Sequence, residues 1–86
     1  MSKDQDKVKK YLSIARGQLD GIIKMVEEDR YCLDITDQLN ATRSLLKKTT
    51  NLILKNHIDC CVKNAIKDGD DSKIDEVIKV LEKQVW

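Results

Sequence analysis

Residues 31 to 69, YCLDITDQLNATRSLLKKTTNLILKNHIDCCVKNAIKDG, hold no proline, and no glycine before Gly69. Apolar residues run through the stretch at Ile35, Leu39, Leu45, Leu46, Leu52, Ile53 and Ile58, and nothing in it breaks a helical ladder. The stretch therefore reads as one helix of about thirty-five residues, ~50 Å long at 1.5 Å rise per residue. A compact globule of this chain length has a radius of gyration of only ~12 Å. Such a helix projects beyond its own domain, and its apolar residues are covered only by other chains. The simplest arrangement is the same helix running antiparallel in a two-fold dimer.

Toward the N-terminus, Val8, Leu12, Ala15, Leu19, Ile22 and Val26 recur at spacings of three and four, which predicts a first helix over residues 4–27. Gly17 and Gly21 share a face of it, each at a cost of ~1 kcal/mol against alanine. Close packing of another helix would offset that cost. Glu28 to Arg30 form a charged turn. Past the long helix, KDGDDSKIDE (residues 67–76) reads as a stop and a restart. Gly69 suits a left-handed C-terminal cap, and Ser72 with Asp75 resembles a capping box. A third helix then carries Ile74, Ile78, Leu81 and Val85.

Composition agrees with an all-α chain. The 86 residues include no proline, no phenylalanine, 3% aromatic and 36% charged residues, a balance that disfavours sheet sandwiches. Residues 1–86 are expected to form one small domain, in the size range where a single chain is marginal unless something else helps, and oligomerisation is a natural helper. No apolar run precedes a small-residue cleavage site, and no stretch approaches the ~20 apolar residues of a membrane span. A cytoplasmic protein is expected, and in that reducing compartment three cysteines are better read as metal-binding or reactive thiols than as a disulfide framework. No Ser/His/Asp set, carboxylate pair or phosphate-cradling loop points to an enzyme. The net charge of +1 gives no independent support for nucleic-acid binding, which rests on local basic clusters.

Cys32, His57 and Cys61 make a thiolate, imidazole and thiolate set. Cys32 and Cys61 lie ~44 Å apart along one helix, so they cannot share an ion within a protomer. Antiparallel pairing removes that obstacle, because it sets Cys32 of one subunit against His57 and Cys61 of the other and creates two equivalent sites. His57 and Cys61 are four residues apart and share a helical face, whereas Cys60 is turned ~100° from Cys61. The set suits a soft ion, Cu(I) over Zn(II), since structural zinc wants a fourth ligand. Buried cysteines serving as small apolar fillers, with a histidine at an interface, remain the alternative on spacing alone.

The stretches ARGQLDGIIKMVEEDRYCLDI and NHIDCCVKNAI, with a glycine-containing turn into a last helix, resemble the copper-sensing repressor (CsoR) family. Its relatives sense nickel, cobalt, formaldehyde or persulfide. The resemblance runs from about Val8 to Leu81, and its most specific feature is the Cys, His, Cys set at separations of twenty-five and four. It implies a four-helix-bundle-like antiparallel dimer, usually a dimer of dimers, that binds operator DNA when metal-free and releases it on binding Cu(I). It also implies that Tyr31, and Glu76 across a one-residue gap, support the ligands and link them to the rest of the molecule.

The DNA contact is not a helix-turn-helix unit. By resemblance it falls on basic helical faces, where Arg16 and Lys48 occupy matching positions. Arg43 and Lys47 can extend that surface, and Lys7, Lys9 and Lys10 are near enough to meet phosphates. Tyr11 replaces an arginine common in the family's first helix. Two other functions fit the same residues. One is a persulfide or thiol sensor bridging Cys32 to the partner subunit's Cys61; the other is a copper-buffering helical protein without DNA binding.

Overall fold

The computed structural model describes residues 4–69 and 72–83, apart from the side chains at positions 61, 65, 68 and 73. Three helices account for nearly all of it: α1 (Gln5–Glu27), α2 (Cys32–Asp68) and α3 (Ser72–Lys83). No strand occurs among the described residues. Val85, expected on the third helix, lies outside them.

α2 runs for 37 residues without interruption, or ~55 Å, and sets the shape of the chain. The longest dimension is 57 Å and the shortest 12 Å, so the chain is a slab one helix thick. Its radius of gyration is 17.3 Å, against ~12 Å for a compact chain of this length.

α1 folds back antiparallel beside the first part of α2. Val8, Ala15 and Ile22 are its buried residues, seven apart in sequence, and Thr42 and Thr49 are buried opposite them on α2. The hydroxyls are satisfied in place. Thr49 Oγ1 donates to the Leu45 carbonyl at 2.8 Å. Thr42 Oγ1 donates to Gln18 Oε1 on α1 at 2.7 Å, with the Gln38 carbonyl at 3.2 Å as its other acceptor. Threonines bonding back by one helical turn keep a polar atom inside a narrow interface without leaving it unpaired. α3 packs on the far part of α2, where Val77, 3% exposed, faces a groove formed with Ile58, Val62 and Ile74.

The turn between α1 and α2 is a Schellman motif. The Arg30 amide donates to the Met25 carbonyl and that of Asp29 to Val26, and Asp29 takes the left-handed conformation at φ 54°. Glycine is the usual residue there. Aspartate tolerates it better than most side chains. Gly69 closes α2 at φ 68°, as its place in the sequence predicts, and α3 begins at Ser72.

The packing expected at Gly17 and Gly21 is not present within the chain. A Cβ added at either glycine meets nothing within 4 Å. The reason is rotational: α1 turns the seven-residue series of Val8, Ala15 and Ile22 toward α2, and position 17 lies ~160° from Ala15 on the helix.

Candidate metal centre and basic face

α2 carries all three predicted ligands. Cys32 is its first residue, a free and exposed thiol whose carbonyl accepts from Thr36 Oγ1 at 2.9 Å. Tyr31 precedes it with a side chain 64% exposed, and its carbonyl accepts the amides of Asp34 and Ile35 at 3.0 and 3.2 Å. Tyr31 thus closes the first turn of the helix through its backbone and leaves its ring outside. His57 and Cys60 are exposed on the far part of α2. Position 61 is helical there, and its side chain lies outside the described residues.

Because α2 is continuous, the angular places of these positions follow from ~100° per residue. Positions 32, 57 and 61 fall within about 40° of arc, roughly 90° around the helix from the Thr42 and Thr49 face that meets α1. Leu39, 47% exposed, lies within the same arc. The predicted ligand positions thus form one line along the spine, on a side where Cys32, Leu39 and His57 are exposed. They do not come together within the chain: among the described residues, no group of three His, Cys, Asp or Glu side chains could hold an ion. The donor chemistry fits a soft metal, but the spacing admits it only with a second chain.

Glu76 is exposed on α3. Its neighbour Val77 faces the groove lined by Ile58 and Val62, so α3 docks on the segment of α2 that carries His57 and position 61. Beside His57, Asn56 Nδ2 is buried with no hydrogen-bond partner among the described residues, a feature that nothing in the sequence pattern signals.

The predicted basic residues are all exposed, and several line separate depressions. Lys9 and Arg16 border one depression with Leu12 and Ser13, and Arg43 and Lys47 border another with Asn40 and Ser44. Lys48 borders a third with Lys7, Tyr11, Asn51, Leu52 and Lys55. Lys10 is exposed on α1. Tyr11, which stands where the family commonly has an arginine, lies with its ring under Lys48 Nζ at 5.0 Å and Lys7 Nζ at 5.9 Å from the centroid. Lys55 joins that group without having been singled out. The signal was its spacing of seven from Lys48, one face of the same helix.

No helix among the described residues is long and apolar enough to cross a membrane. Residues 4–83 match the model of a family described as metal-sensitive transcriptional repressor. The chain is 44% identical over 71 residues to the copper-sensing transcriptional repressor CsoR of Mycobacterium ulcerans, an overlap of 81% of this chain and 61% of that relative. It therefore spans less than two thirds of the mycobacterial protein. The copper-sensing transcriptional repressor CsoR of Bacillus subtilis is 40% identical over 83 residues, covering 95% of this chain and 82% of the relative. Among solved structures, the copper-sensing repressor CsoR with Cu(I) from Geobacillus thermodenitrificans matches with a TM-score of 0.85 at 31% identity, covering 96% of this chain and 88% of that one. The nickel-responsive transcriptional regulator InrS matches with a TM-score of 0.83 at 29% identity, covering 91% and 89%. With a family match across almost the whole described chain and the three-helix fold in common, the chain belongs to the metal-sensitive transcriptional repressors, a family of regulators and not of enzymes.

Proposed function

We propose that this protein is a Cu(I)-responsive transcriptional repressor of the cytoplasm, bound to operator DNA when metal-free and released from it by Cu(I). Residues 1–86 act as one helical metal-sensing and DNA-binding domain. The observation that carries the reading is the ligand line: Cys32, His57 and Cys61 share one arc of an unbroken helix of 37 residues, too far apart for one chain and in register for an antiparallel partner. The Cu(I)-bound relative and the names of the sequence relatives favour copper. The nickel-responsive neighbour shows that the fold alone does not choose the metal, so the choice rests on the donor atoms. Two sulfurs and one imidazole nitrogen suit Cu(I).

The working unit is a homodimer, or a homotetramer of two such dimers. Cys32 of one protomer joins His57 and Cys61 of the partner subunit at each of two sites. When bound, Cu(I) supplies coordinate bonds that tie the end of one α2 to the far part of the other. Tyr31, beside Cys32, and Glu76, on the helix docked below His57, carry the resulting shift toward α3 and the basic residues. Arg16, Lys48, Arg43, Lys47 and Lys10 meet the phosphates of the operator. A ligand releases DNA only by binding the DNA-free conformation more tightly, with a coupling of typically ~1–3 kcal/mol.

The test uses two inactive parents, Cys32→Ala and His57→Ala/Cys61→Ala. After subunit exchange, each verified heterodimer should regain one tight Cu(I) site with two sulfur ligands and one nitrogen ligand by X-ray absorption. It should also regain Cu(I)-driven release of a labelled duplex from upstream of the protein's own coding sequence, read by fluorescence anisotropy. Heterodimers that bind no Cu(I) would exclude the shared site. Full release by sulfide-derived persulfides with none by Cu(I) would replace the copper reading by the thiol-sensing one.

A further inference from the structure

Tyr11 lies at the seam of α1 and α2, half-buried, with two lysines from different directions over its ring. Lys7 comes from one turn earlier on α1, with Nζ 5.9 Å from the ring centroid. Lys48 crosses from α2, with Nζ at 5.0 Å. Both distances lie within the ~6 Å over which an aromatic face attracts an ammonium. Lys55, Asn51 and Leu52 complete an open depression of about 220 Å³ around the same ring. Two ammonium groups brought over one neutral ring, with Lys55 lining the same depression, repel each other, in a chain whose net charge is only +1. The aromatic face offsets part of that repulsion without neutralising any charge, as a carboxylate would. Neither lysine has an acidic partner among the ion pairs seen in the described residues.

We infer that Tyr11 is a positioning residue for duplex binding, holding Lys7 and Lys48 as a preformed pair of cations for the phosphodiester backbone. The inference rests on the operator-binding reading and adds a way to meet the phosphates. A tyrosine cannot contact a phosphate by charge, so its contribution passes through the lysines it orients. An ammonium resting on a ring keeps its remaining N–H donors free, and fixing a rotamer-rich lysine before binding removes part of the ordering cost that docking incurs. The open shape favours a backbone over a small anion: the lysines lining it are exposed, whereas a small phosphate ligand needs enclosing donors.

The experiment compares wild type, Tyr11→Phe and Tyr11→Leu as the full chain, with circular dichroism to verify helicity. The first measurement needs no DNA. Ring-current displacement of the Lys48 ε-methylene protons should be present in wild type and Tyr11→Phe and absent in Tyr11→Leu; its absence in wild type overturns the pairing. The second is the affinity of the metal-free protein for the upstream duplex across a salt series. Tyr11→Leu should bind about five- to tenfold more weakly, Tyr11→Phe as wild type, and Lys48→Ala should cost far less in the Tyr11→Leu background than alone, because the pair acts as a unit. Unchanged affinity in Tyr11→Leu, or an equal loss in Tyr11→Phe, overturns the positioning function while leaving operator binding intact. Wild-type protein that binds neither the upstream duplex nor an unrelated one at low salt removes both this inference and the operator reading.

Discussion

The apolar stripe of α1 divides into two series with opposite fates. Val8, Ala15 and Ile22, seven apart, are 3%, 3% and 7% exposed, whereas Leu12, Leu19 and Val26, also seven apart, are 46%, 44% and 60% exposed. All six fall within about 80° of the helix circumference, so hydrophobicity and periodicity do not separate them. The neighbours do. A stripe of paired seven-residue series is a seam that needs helices on both sides, and α2 covers only one side. The open half of the seam is what the proposed partner chain would cover. Cys32 and His57 are exposed as well, and in the proposed dimer a second chain would cover both the open series and the ligand line.

Charging the open series should have the largest effect. In the proposed oligomer, Leu12→Glu/Leu19→Glu should abolish association at micromolar concentration and strongly destabilise the chain, because the core within one protomer is small. Sedimentation with circular dichroism would show it. A folded double variant with the mass and melting temperature of wild type would mean that the open series faces water in the working protein.

Truncating the closed series should cost less. Ile22→Ala is expected to lower stability by about 2–4 kcal/mol through lost burial and the cavity left behind, without changing the subunit count once folded. If Ile22→Ala dissociates the oligomer while Leu19→Ala does not, the assignment of the two series to inner and outer contacts is reversed.

Substitutions involving glycine should give the smallest effects. Asp29→Gly should stabilise the chain by up to about 1 kcal/mol, since glycine takes the left-handed conformation without the penalty of a Cβ. Gly17→Ala should gain a similar ~1 kcal/mol of helix propensity if that side of α1 stays free in the oligomer. A loss of stability in Gly17→Ala, seen in chemical denaturation, would instead place a partner helix against it and restore the close packing that the chain alone does not show.

Much of this protein is legible from residue types and spacing. The absence of helix breakers between Cys32 and Gly69 sets the length of α2, and length against chain size is the sequence argument for the proposed partner. The left-handed Gly69 and the restart at Ser72 follow from local chemistry. The His57 to position 61 spacing follows from helical geometry. These are one-dimensional properties, which a helix converts directly into positions in space.

Tertiary structure decided what depends on which neighbour a face meets. Periodicity could not say that Leu12 stays open while Ala15 closes, because both lie on one stripe and only the direction of α2 separates them. Nor could it divide Arg16, Arg43 and Lys48 among three depressions, or show that Tyr11, read in sequence as a missing charge, gathers Lys7 and Lys48 across the seam. The turn at Asp29 lacks its usual glycine, so its left-handed conformation became visible only with the backbone. Local signals act through a helix's own ladder and survive in isolation. The choice among equivalent faces is made by contacts between helices.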